Sequence, residues 1–259
     1  MAGGLLKVVS AAALGATVAA VASAQARPPS SHERVLCRPF QHLTTAAGRG
    51  PRYVVRNDTF GHRSECLVNV DDLPDFRISK SGAHGNPAEP VAYPNIFLGC
   101  SWGVCSPRSG LPRRVDRIRT LVTSWSTVQS ASGHWSAGYD IWLDRRRSTS
   151  GQSGGAELMI WLNSRGFPPN AWPVVTVGGR RYHLAHWVAA RHGKRWNYIQ
   201  FRMVRSAKRV RNLDVLPFIK AAERAGLVRR SWWMVSVEAG FEIWRGGVGL
   251  ATRWFTVRL

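Results

Sequence analysis

Apolar and polar positions alternate through most of this 259-residue chain, broken by short Gly, Pro and Asn clusters, a pattern that predicts strands rather than helices. The clearest case is Ala156 to Asn163, where Glu157, Met159 and Trp161 take one face and Leu158, Ile160 and Leu162 the other. The same arrangement recurs at Phe241 to Trp244, with Glu242 and Trp244 opposite Phe241 and Ile243, and at Tyr139 to Asp144, with Asp140, Trp142 and Asp144 opposite Tyr139, Ile141 and Leu143. Further strands are predicted over 53–55, 67–70, 121–126, 174–177, 195–202 and 253–257, and the segment 232–244 reads as one long strand. One segment has helical period: Val215, Phe218, Ile219 and Ala222 form a stripe, with Asp214 placed to cap it, Pro217 in its first turn and Gly226 placed to end it. Many short strands with a single helix predict an all-β fold, a sandwich or jelly roll, with the helix behind a sheet.

The first 26 residues interrupt this picture. Lys7, an Ala/Val/Leu-rich run and small residues at Ala22 to Ala26 predict a signal peptide cleaved near Ala24 or Ala26, and hence a secreted protein. Residues 27–36 are rich in Pro, Ser and charge and read as a flexible tail; ordered chain is expected over 37–259 as one domain. In an oxidising compartment the four cysteines, Cys37, Cys66, Cys100 and Cys105, read as two disulfides. Three pairings are possible; the short loop between Cys100 and Cys105 can close on itself, which leaves Cys37 for Cys66. No zinc-finger spacing accompanies them, and no metal or cofactor is expected. His183 and His186 are three apart, a spacing that puts them on opposite faces of a strand.

The formal charge is +21, carried by 31 arginines and 5 lysines. Such a field favours association with anionic polymers but identifies no reaction, and no nucleic-acid motif accompanies it. The clusters Arg145 to Arg147, Arg180 to Arg181 and Lys208 to Arg211 read first as solvated loops or strand faces. A stable nucleic-acid or membrane partner is not expected, and the protein is expected to be a monomer.

Acids that share a strand face with flat aromatic rings suit carbohydrate chemistry. Retaining glycoside hydrolysis needs two carboxyl groups about 5–5.5 Å apart, and neighbouring strands can supply them. Glu157-Leu158-Met159-Ile160-Trp161-Leu162-Asn163 and Glu238-Ala239-Gly240-Phe241-Glu242-Ile243-Trp244 resemble the nucleophile and acid/base strands of glycoside hydrolase family 12. Cys37 to Phe40, Arg52 to Asn57, Tyr93 to Cys100, Cys105 to Pro107, Tyr139 to Asp144 and Val177 to Gly179 resemble the family in the same order. The resemblance implies a β-jelly roll of two packed antiparallel sheets with a concave cleft, and endo-acting cleavage of β-1,4-glucans. It implies Glu157 as nucleophile, Glu242 as acid and then base, and Asp140 as the hydrogen-bonding partner of Glu157. Asn57, Phe60, Trp102, Met159, Trp161 and Asn163 are the implied substrate contacts.

The chain departs from the family pattern at Phe60, where bacterial relatives usually carry Trp, and at Glu238, usually Gln. It departs again at 167–173, beside the cleft, and at the basic stretch 189–195. A second reading of the same residues is a glycan- or anionic-polymer-binding protein that keeps the fold without the catalysis.

Overall fold

The computed structural model describes residues 32–259 apart from 47–50, 61–63, 86–87, 169–170 and 192; the segment expected to be a signal peptide lies outside them. Numbered in chain order, the strands β1 (Glu33–Leu36), β4 (Glu65–Val70), β5 (Phe76–Ser81), β18 (Ala251–Arg258), β10 (Val122–Val128) and β16 (Arg209–Asp214) form a six-stranded sheet in that spatial order. A larger sheet runs β13 (Val174–Val177), β14 (Arg180–Arg191), β15 (Lys194–Met203), β12 (Ala156–Arg165), β11 (His134–Asp144), β17 (Trp233–Gly246), β7 (Asn95–Ser101), β3 (Val54–Arg56) and β2 (His42–Thr44). The two-residue strands β6 (Ala83–His84), β8 (Val104–Cys105) and β9 (Arg113–Arg114) join its margins. The larger sheet packs on the smaller as a β-jelly roll. Pairing is antiparallel as expected, with one exception: β12 and β15 run parallel.

Alternation decides which face is core. On β11, β12 and β17 the residues Tyr139, Ile141, Leu158, Ile160, Ala239 and Phe241 are all fully buried. Trp125 of β10 meets the rings of Tyr139 and Phe241 at 5.4 and 5.6 Å, and Phe255 of β18 lies 6.5 Å from Tyr139. These contacts between the sheets leave only the opposite face of the larger sheet for the acids.

The one α-helix among the described residues, α1 (Leu216–Arg224), lies behind the sheet. Its Phe218 packs edge-on against Tyr182 of β14 and Phe201 of β15, both at 5.1 Å. Asp214 accepts the Leu216 N–H at 3.0 Å, and Gly226, at φ 73°, turns the chain out of the helix. Both disulfides, Cys37–Cys66 and Cys100–Cys105, are present. The ordered chain starts earlier than Cys37: Glu33–Leu36 pairs along β4, so part of the expected flexible tail is a strand.

Glu65, on β4, is an acid outside the cleft. Burial pushes its pKa up to about 8, with the nearby Asp58 charge adding to the rise and the Ser81 hydroxyl, donating at 3.2 Å, pulling against it. A carboxyl raised in the folded state lends stability that is whole below its unfolded pKa and is lost as pH climbs toward 8. Glu65→Gln removes that loss while keeping an acceptor for Ser81. Thermal melts should find it matching wild type at pH 4 and melting on the order of 10 °C higher at pH 8.5.

Candidate active site

The three central strands bring the acids together. Trp142 of β11 lies opposite Glu157 of β12, Asp140 lies between Met159 of β12 and Glu238 of β17, and Ser136 lies opposite Glu242. Asp140, Glu157, Glu238 and Glu242 therefore share the face turned away from the core. Their charges act on one another: Glu242 and Glu238 both raise Glu157, and Glu157, Glu238 and Glu242 all raise Asp140.

Burial is the larger effect. It pushes Glu157 up to about 8, while the Trp196 indole N–H, donating to its Oε2 at 2.6 Å, pulls it down. It pushes Glu242 up to about 7 against the Ser136 hydroxyl, which donates at 2.8 Å, and the nearby Trp161 indole. Glu157 is thus raised at least as far as Glu242, the reverse of the order expected for an ionised Glu157 beside a protonated Glu242. The hydrogen bonds favour the expected order. An indole N–H can only donate, so it selects a bare oxygen on Glu157, whereas the Ser136 hydroxyl can also accept a proton held by Glu242.

Asp140 departs from expectation. Its Oδ2 accepts the Trp142 indole N–H at 2.8 Å, and its buried Oδ1 makes no hydrogen bond, so the predicted bond to Glu157 is not formed. Trp196 has taken the Glu157 oxygen instead. Burial, followed by the neighbouring acids, holds the Asp140 carboxyl well above the usual range.

Glu238, given no chemistry on sequence grounds, is fully buried. It accepts from Asn95 at 2.9 Å and Ser236 at 2.8 Å, with the Arg56 guanidinium 4.0 Å away. Arg56 is itself buried, bound to Asp58 at 2.6 Å and lying over the Phe97 ring. The group of cleft acids therefore has one buried cation at its side.

Met159 and Trp161, implied as substrate contacts, are covered. Trp161 and Trp244 are each only 5% exposed and form a cluster with Met159, Phe167 and Tyr198. Phe167, from the departing loop, lies 5.1 Å from Trp161 and 4.9 Å from Trp244, and His134 stacks on Trp244 at 5.0 Å. Gly138 makes the close fit of Trp161 possible, since a Cβ there would stand 2.8 Å from its ring. Asn163 is bound to Gln129 at 2.6 Å. Asn57, expected to touch substrate, is fully buried and donates to the Arg38 and Glu65 carbonyls, shaping the loop instead.

Exposed rings lie elsewhere. Trp102 is 53% exposed at the tip of the turn closed by Cys100–Cys105, and Phe60 is 39% exposed beyond β3. The sequence reading missed Trp187, 46% exposed, which stacks on Tyr198 at 4.2 Å, directly across from Glu157. The tip of the β14–β15 hairpin, where Arg191 pairs with Lys194, is one corner of the sheet, and Phe60 lies toward the diagonally opposite corner. The Arg191 guanidinium nevertheless lies 5.4 Å from the Phe60 ring, and its charge reaches Asp58. The sheet coils until these corners meet over the face that carries the acids. Among the described residues no cluster of His, Cys, Asp and Glu is arranged to hold a metal ion.

Residues 51–259 match the family described as Glycosyl hydrolase family 12. A "Probable cellulase Cel12b" of Mycobacterium tuberculosis is 29% identical over 154 residues, covering 58% of this chain and 98% of that protein. Among solved structures, a metagenome-derived glycoside hydrolase family 12 endoglucanase superposes with TM-score 0.79 at 35% identity, covering 88% of this chain and 98% of its own. Endoglucanase cel12A from Rhodothermus marinus gives TM-score 0.77 at 36% identity, covering 86% and 97%.

The charge of Glu238 raises both Asp140 and Glu157. Glu238→Gln keeps its shape and removes that charge, so a carbon-13 NMR titration of the glutamate carboxyls should find Glu157 titrating at lower pH than in wild type; an unmoved resonance would contradict the coupling.

Proposed function

Because the chain belongs to glycosyl hydrolase family 12, we propose that it cleaves internal β-1,4-glucosidic linkages of a glucan with retained configuration, through Glu157 and Glu242. The observation that carries the reading is the placement of these two acids on one face of a coiled sheet, one strand on either side of β11, within reach of each other's charge. The relatives named a cellulase and endoglucanases support the same substrate class.

In the first step Glu242 gives its proton to the glycosidic oxygen as the bond to the anomeric carbon breaks and a Glu157 oxygen bonds to that carbon. The leaving chain departs with a free hydroxyl. In the second step water attacks the anomeric carbon, its proton passes to Glu242, and Glu157 is released as a carboxylate. Glu157 carries no charge in the intermediate, which removes its repulsion and lets Glu242 act as the base.

Asp140 serves as a positioning residue. Its Oδ1, which makes no hydrogen bond, can share a proton with Glu157 once the nucleophile turns toward substrate. Trp196 fixes the other Glu157 oxygen. Trp187 on Tyr198, Trp102 and Phe60 offer the open rings on which sugar faces can lie. The two disulfides fit a secreted enzyme, as the leader-like residues 1–26 suggest.

Glu157→Ala should lower reducing-end release from carboxymethyl cellulose by roughly 10³-fold or more, with azide restoring turnover as an α-glycosyl azide. Full activity in that variant would sink the assignment. Proton NMR of the earliest wild-type products should detect the β-anomer first.

The working state carries one proton on the pair, so the acid limb of kcat/KM follows the first ionisation and the alkaline limb the loss of the last proton. With Glu157 raised to about 8 and Glu242 to about 7, that window lies above the range of free glutamates. Trp196→Phe removes a bond that favours ionised Glu157 and should move the acid limb to higher pH. Ser136→Ala should move the alkaline limb to higher pH.

A further inference from the structure

Three arginine-rich segments far apart in sequence meet where β17 begins. Arg113 and Arg114 of β9 pair with Met234 and Trp233. On the other side of β17, Asp144 pairs with Trp233, so Arg145, Arg146 and Arg147 leave the sheet beside it. Arg229 and Arg230 lead into the strand, and the chain from Val115 to Arg117 is tied to them by bonds from Asp116 N to the Arg230 carbonyl and from Val115 N to the Trp232 carbonyl. Apart from Arg113, which is partly covered, these arginines are exposed.

Their arrangement is ordered. Arg145 lies 5.7 Å over the Trp232 ring and Arg147 lies 5.6 Å over the Trp233 ring, which holds two guanidinium planes with their donor edges free. The acid among them, Asp116, is engaged by Arg114 in a two-pronged bond. The positive surface continues along α1 into a groove of about 470 Å³ walled by Arg119, Lys220, Arg224 and Arg230. Two acids, Asp116 and Glu223, face this row of cations.

We propose that this end of the molecule, separate from the cleft acids, binds a linear phosphodiester polymer, with Arg145, Arg147 and Arg230 taking successive phosphates. A phosphate can accept guanidinium forks arriving from two directions, which suits arginines supplied by different segments, and nearly every cation here is Arg rather than Lys. Trp232 is only 8% exposed beneath Arg145, so its ring is closed to a stacking base. The contact reads backbone charge alone. This holds whether or not the cleft hydrolyses glucan.

The test is fluorescence anisotropy of the full chain with labelled oligo-dT across a salt series, with poly(glycerol phosphate), which has no bases, as competitor. Wild type should bind both. The variant Arg145→Ala/Arg147→Ala/Arg230→Ala should lose at least about tenfold in affinity, and the slope of log K against log salt should fall in magnitude by about 2, at roughly 0.7 per lost contact. Arg146→Ala/Arg230→Ala, which leaves both stacked arginines in place, should shift in the same direction. The matched control Arg180→Ala/Arg181→Ala/Arg253→Ala removes the same charge elsewhere and should bind nearly as wild type. Equal loss in that control would reduce the effect to net charge and overturn the proposal, as would oligo-dT binding that poly(glycerol phosphate) fails to compete.

Discussion

Aromatic packing between the two sheets is the constraint from which the cleft follows. Trp125 and Phe255 of the smaller sheet lock onto Tyr139 and Phe241 of the larger one, and this fixes the register of inward and outward residues along β11 and β17. A strand has only two faces, so once Tyr139 and Phe241 are committed to the core, Asp140 and Glu242 must project the other way. β12 obeys the same rule through Leu158 and Ile160. A shift of one residue would place carboxyls in the hydrocarbon core and the apolar rings in the cleft.

Concentrating four carboxyls on one covered face has an electrostatic consequence. Removing an ionised carboxyl from water costs roughly several kcal/mol per ion, and here the buried compensating charge among the described residues is Arg56 alone. The guanidinium stands beside Glu238 and Asp58, whereas Glu157 and Glu242 rely on an indole and a hydroxyl. The fold therefore keeps protons on carboxyls that would give them up in water. A site that must deliver a proton and later reclaim one needs that property, and it arises from burial with few cations.

Period-two alternation made most of this architecture legible. It placed Glu157, Asp140 and Glu242 on strand faces opposite core residues, and the 3.6-residue stripe with Gly226 located the helix. Non-local effects stayed hidden. Nothing in the order of residues told that Phe167 would fold back over Trp161 and Trp244, or that Trp187 would stand across from Tyr198. Asn57 sits in a motif that suggests a sugar contact, yet the loop spends its amide on two backbone carbonyls. Glu33 to Leu36 reads as tail because it follows a stretch rich in Pro, Ser and charge; three of its four residues are exposed, and only pairing along β4 makes it a strand. The run Arg145 to Arg147 reads alone as a solvated loop; the strand register is what sets it beside Arg113, Arg114, Arg229 and Arg230.

The meeting of Arg191 with Phe60 gives the cleft a topology as well as a shape. While this contact holds, the tip of the β14–β15 hairpin and the segment beyond β3 are joined across the width of the larger sheet. One exposed cation–aromatic contact is worth roughly 0.5–1 kcal/mol, little more than thermal energy, so this join is a weak one that the two edges of the sheet can make and break.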